Sequence, residues 1–168
     1  MVLEEYTLAL ASSLEKANLV PGSAASLIPQ GFKPTTKLNI TYGDRPLDLG
    51  NLFRVTEVKT APSVSFPSED GAPDGASYLL LLVDPDAPTP DDPKFAFWRH
   101  WMRRSSKPHR YLFLLFREPK GLDLTKEDVG GEEFVQRRSF DPAAFVSKYG
   151  LNLVSVNWML GAGDGWSE

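Results

Sequence analysis

The sequence predicts a mostly β fold of the β-rich α+β class, strands in the middle and helices at the two ends. Three observations carry this. Apolar residues recur at steps of three and four through the first 17 residues, then at steps of two from residue 36 onward. Two continuous apolar runs, "YLLLLV" at 78–83 and "YLFLLF" at 111–116, have the length and Pro/Gly surroundings of strands buried on both faces. A capped helical segment at 141–150 precedes a last alternating stretch.

The elements follow in order. Within residues 1–20, Leu3, Tyr6, Leu10, Leu14 and Ala17 line one face of an amphipathic helix ended by the "VPGS" turn. Glu4, Glu5 and Glu15 outweigh Lys16 on its polar face, so it reads as a helix packed on a core edge; anionic lipid would repel it. "KLNITYG" places Leu38, Ile40 and Tyr42 on one strand face, and "DRPLDLG" follows a Gly-Asp turn. "FRVTEVKTAPSVSF" alternates again, and "SEDGAPDG" has the composition of a loop. In "FDPAAFVSKYG", Asp141 is placed to cap a helix, Pro142 to occupy its first position and Gly150 to end it. "LVSVNWM" then alternates Val154, Val156 and Trp158 as a final strand.

Composition limits the function classes. A chain of 168 residues, 42% hydrophobic and 24% charged, fits one globular domain spanning 1–168. A net charge of −4 argues against nucleic acid as the main partner, since phosphate backbones select basic surfaces. The sequence contains no cysteine, which removes disulfide and thiolate chemistry and fits a reducing, cytoplasmic setting. No apolar run is long enough to span a bilayer.

Chemistry concentrates between residues 84 and 111. The first apolar run ends in "DPDAP", which carries Asp84 and Asp86. The two histidines of the chain, His100 and His109, follow, with Trp98, Trp101 and Tyr111 beside them. Taken singly, the aspartates read as turn formers and the histidines as satisfied imidazoles. Taken together at strand ends, with an aromatic wall, they describe a small cleft for phosphate or carboxylate, because imidazole offers hydrogen bonds from both nitrogens when charged. Arg99 and Arg110 flank the histidines and add positive potential. The spacing of the two His and two Asp fits no compact metal motif, and no cofactor is expected. Ser105 and Ser106 sit near the histidines, but no nucleophile elbow surrounds them.

"DPDAP", "WRHW", "PHRYLFLLF" and "RSFDPAAFVSKYGL…VNW", in that order, resemble the phosphatidylethanolamine-binding protein family over roughly residues 30 to 160. That family includes Raf-kinase-inhibitor proteins, flowering regulators and inhibitors of a vacuolar serine carboxypeptidase. "GFKPTTKLNITYG" and "FLLFREP" look most like its fungal branch. The resemblance implies a large central antiparallel sheet packed on a smaller one, with flanking helices and a pocket for small anions. By motif position it assigns Asp84, Asp86, Trp98, His100, His109 and Tyr111 to that pocket. One departure stands out: only "WMRRSSKP" separates His100 from His109, where the family carries a long Gly-Pro-Pro-rich rim. A turn at Arg104 and Ser105 would then set the histidines across a hairpin. The last strand also lacks the proline the family has before "VNW".

Two functions fit. One is a non-catalytic regulatory or inhibitory module that binds an anionic headgroup, phosphate or carboxylate, with a protease or kinase as protein partner. The other is a biosynthetic enzyme of the kind that fungal relatives supply to maleidride-type products. There, His100 or His109 would act as acid or base, and Arg99 or Arg110 would hold a carboxylate.

Overall fold

The computed structural model describes residues 2–99, 107–131, 133–138 and 140–167. Helix α1, Leu3–Lys16, buries Tyr6, Leu10 and Leu14, while Leu3, expected on the same face, is exposed in the first turn. Acidic Glu4 and Glu5 at its start and Lys16 at its end complement the helix dipole. Asn18, with a left-handed φ of 51°, turns the chain out of the helix.

Two sheets follow. The smaller contains β1 (Asn39–Tyr42), β2 (Arg45–Pro46) and β4 (Ser63–Ser65) in the antiparallel order β2-β1-β4. The larger contains β3 (Leu52–Arg54), β5 (Tyr78–Val83), β6 (His109–Arg117) and β7 (Asn152–Ala162) in the order β3-β7-β6-β5. Strands β5, β6 and β7 run antiparallel, and β3 joins β7 in parallel. The alternating stretch at 53–66 is therefore not one strand but β3, a 3-10 turn over Val55–Val58, and β4. The break has a local cause: Glu57 accepts a hydrogen bond from the Arg54 backbone N–H at 2.6 Å, capping the turn, and Val58 is buried beneath it.

Two short helices precede the last strand, α2 (Phe134–Arg138), which periodicity does not reveal, and α3 (Pro142–Lys148). Asp141 caps α3 by accepting from Ala144 N–H at 3.0 Å, and Gly150 takes a left-handed φ of 61° just beyond it.

The continuous apolar run in β6 reflects burial on both faces. Leu112, Leu114 and Phe116 pack with Tyr6, Leu10 and Leu14 of α1 and Phe145 of α3. Tyr111, Phe113 and Leu115 pack with Ile40 and Tyr42 of the smaller sheet and with Leu38 just before it. Each such large side chain contributes about 1.5–3 kcal/mol by leaving water. Polar side chains of β7 lock the sheets together. Ser155 Oγ accepts from Leu38 N–H at 3.1 Å and donates to Thr36 C=O at 2.7 Å, and Asn157 Nδ2 donates to Leu38 C=O at 3.1 Å. Among the described residues no helix is long and apolar enough to cross a membrane.

Candidate functional site

Strand β5 ends at Val83, and Asp84 is the next residue. Its backbone forms a closed pair with Trp98: Asp84 N–H donates to Trp98 C=O and Trp98 N–H to Asp84 C=O, each at 3.1 Å. The loop between them is thus pinned at its neck. Inside it Phe95 N–H reaches Ala87 C=O at 2.9 Å, and Phe97 takes a left-handed φ of 60° that returns the chain to Asp84. Such a conformation in a bulky residue is disfavoured and persists only where its surroundings hold it.

The two carboxylate oxygens of Asp84 do different work. Oδ1 accepts from Asp86 N–H at 2.8 Å, which sets the turn. Oδ2 lies 2.8 Å from Nδ1 of His109, the first residue of β6. Turn former and imidazole partner, weighed as alternatives in the sequence, are one residue. The pair is buried, with side-chain exposures of 3% for His109 and 0% for Asp84. The Tyr111 ring stacks near the imidazole, centroids 6.2 Å apart at 18°, and buried Trp98 meets Phe95 edge-on at 6.1 Å.

This geometry assigns the imidazole proton. An ionised carboxylate only accepts, so Nδ1 carries the N–H. Nε2 is left as an acceptor in the neutral ring and a donor in the imidazolium. It is buried and meets no hydrogen-bonding group among the described residues. An unmet buried polar atom costs roughly 1–3 kcal/mol.

Asp86 faces another way. It accepts from Arg110 backbone N–H at 2.8 Å and from Arg110 Nε at 2.9 Å, with Nη2 completing the fork. The far side of that guanidinium donates to the C=O groups of Ala17 at 2.7 Å and Asn18 at 3.2 Å, at the end of α1. Arg110, one of the two arginines considered for holding a substrate carboxylate, ties a loop to a helix. Arg99 Nη2 donates to Gly131 C=O, and its guanidinium lies 5.2 Å over the Phe140 ring. Period-two alternation on β6, with His109 on one face and Arg110 on the other, is a signal in the sequence that separates the two roles. The Ala17 and Asn18 carbonyls carry no sequence signal, since every residue has one.

The structure therefore brings together Asp84, Trp98, His109 and Tyr111 at one end of the large sheet, with Asp86 one turn behind them. His100 lies outside the described residues, as do Trp101, Arg103, Arg104, Ser105 and Ser106 and the hairpin expected there. Among the described residues no three His, Asp or Glu side chains come together to hold a metal ion.

Comparison with known proteins gives this arrangement a context. A family model described as phosphatidylethanolamine-binding protein matches residues 30–105, which include the Asp84 turn and Trp98. The Oryza sativa subsp. japonica protein "MOTHER of FT and TFL1 homolog 2" is 28% identical over 135 residues, 80% of this chain.

Over residues 30–105 the chain is similar to the phosphatidylethanolamine-binding protein family.

The chain spans 66% of that rice relative's length, just under two thirds. Two solved structures share its fold. Carboxypeptidase Y inhibitor, solved in complex with its cognate proteinase, superposes with a TM-score of 0.78 at 20% identity, covering 95% of this chain and 97% of the inhibitor. The phosphatidylethanolamine-binding protein of Plasmodium vivax gives a TM-score of 0.69 at 15% identity, covering 92% and 97% of the two chains. The mostly β architecture expected from the sequence, with its two sheets, is shared with both of these structures.

Proposed function

We propose that this protein is a regulatory binding module that holds a small anion, phosphate or carboxylate, at the Asp84–His109 end of its large sheet. One observation carries the reading: buried His109 has Nδ1 fixed by Asp84, while Nε2 meets no partner among the described residues. An imidazolium in that state donates a charge-assisted hydrogen bond to an anionic oxygen. The loop is closed by backbone bonds before any ligand arrives, so little ordering cost accompanies binding. Likeness to carboxypeptidase Y inhibitor makes a serine carboxypeptidase the first protein partner to try and a kinase the second.

Calorimetric titration with inorganic phosphate, O-phosphoethanolamine and citrate tests the site. His109→Ala is expected to weaken anion binding by about tenfold or more, equivalent to about 1.4 kcal/mol, while the far-UV spectrum is kept. Equal affinity in wild type and variant overturns the assignment.

A second reading has its own observation. A carboxylate that fixes the tautomer of a buried imidazole is also the base-and-orienter pair of an acid–base enzyme. Engagement of Arg110 by Asp86 and by the end of α1 favours the binding module, because that guanidinium is already occupied by groups of this chain. Mass-spectrometric detection of dicarboxylate or anhydride turnover, lost in His109→Ala, would reverse that order.

A further inference from the structure

Beyond the pocket residues themselves, a continuous chain of hydrogen bonds runs from the end of α1 to the imidazole. Ala17 and Asn18 C=O accept from Arg110 Nη1. Arg110 Nε and Nη2 grip the Asp86 carboxylate. Asp86 N–H donates to Asp84 Oδ1, and Asp84 Oδ2 meets His109 Nδ1. Arg110 also follows His109 directly in β6, and its own backbone N–H is held by Asp86. Asp84, Asp86 and His109 are all buried, whereas Arg110 is about one-fifth exposed, with its side chain at 19%.

We propose that Arg110 is a positioning residue for His109, tying the Asp86 loop to the end of α1 and so fixing the carboxylate that orients the imidazole. The inference rests on the reading of His109 as the anion-holding group, and it adds the N-terminal helix to the parts that set that group.

The reasons are geometric. Asp84 can orient His109 only if its carboxylate is held, and one of its two oxygens is held by the N–H of Asp86. Asp86 is in turn gripped by the Arg110 guanidinium, which a planar fork can do and an ammonium cannot. The same guanidinium sits against the carbonyl end of α1, where the helix dipole is negative, so a cation there is stabilised by both neighbours. Lysine in place of Arg110 keeps the charge and loses the fork.

The test reads His109 without any ligand. The chain has two histidines, so its imidazole NMR spectrum is simple, and a buried Nδ1–H bonded to a carboxylate gives a protected low-field proton. Hydrogen exchange of that proton is measured in wild type, Arg110→Lys and Asp86→Asn, with the Leu114 amide at the centre of β6 as internal reference. Arg110→Lys is expected to speed Nδ1 exchange about tenfold relative to Leu114, the loss of one charge-assisted fork. Asp86→Asn, which keeps the shape and removes the charge, is expected to act in the same direction and serves if the lysine variant does not fold. Unaltered Nδ1 exchange overturns the proposal. So does an equal rise at Nδ1 and Leu114, which would mean general loosening of the sheet. A wild-type protein in which phosphate leaves His109 unmoved overturns the anion reading, while the exchange comparison still decides the role of Arg110.

Discussion

Asp84 and Asp86 stand two residues apart in one turn and send their carboxylates to adjacent residues of β6, Asp84 to His109 and Asp86 to Arg110. Because neighbouring residues on a strand face opposite ways, the turn serves both sides of the sheet at once. The first aspartate orients an imidazole, and the second anchors the turn to the end of α1.

Removing the first should be felt in stability and in tautomer. Asp84→Ala strands the buried Nδ1–H of His109 and the N–H of Asp86, and a cost of about 1–3 kcal/mol per unmet buried group is expected in urea unfolding. The 15N shifts of His109 should at the same time lose the Nδ1-protonated signature. A variant as stable as wild type with the tautomer retained would show that Asp84 does not orient the ring.

Gly50 is a second point where the fold has no room. Its φ is +107°, its N–H donates to Trp158 C=O at 2.8 Å, and a Cβ there would fall 2.5 Å from two carbons of the Trp158 ring. Gly50→Ala combines backbone strain with overpacking of a buried indole and is expected to cost about 2–4 kcal/mol. Chemical denaturation measures this directly. A loss within about 0.5 kcal/mol, the range of an ordinary surface substitution, would contradict the described packing.

Alkali should unfold the protein through Tyr6. Burial pushes this phenol well above its ordinary value of 10.0, outweighing the lowering effect of Ser155, and the hydroxyl donates to Val156 C=O. The folded state keeps the phenol neutral where the unfolded chain ionises it. Its contribution is therefore complete below about pH 10 and is lost as pH rises above that. Tyr6→Phe should cost about 1 kcal/mol near neutrality and flatten the decline in stability above about pH 10. Parallel declines in the two proteins would remove Tyr6 from the alkaline transition.

Much of the fold was legible because burial on both faces leaves a mark that survives without tertiary knowledge. The runs at 78–83 and 111–116 are β5 and β6, and Asp141, Pro142 and Gly150 delimit α3 as their chemistry requires. The stretch at 53–66 misled because alternation there belongs to two strands in different sheets, divided by a capped turn that periodicity cannot see. At the site, the meeting of Asp84 with His109 follows from strand ends and motif order. The engagement of Arg110 did not follow: charge beside a histidine suggests a clamp, and only the fold shows that the end of α1 and Asp86 reach it first.

The most direct measurement is a crystal grown from, or soaked in, inorganic phosphate. The account predicts an anion with one oxygen within hydrogen-bonding distance of His109 Nε2, and none there in His109→Ala. A wild-type crystal in which Nε2 is capped by a side chain of this protein, with no anion at that end of the sheet, would contradict it.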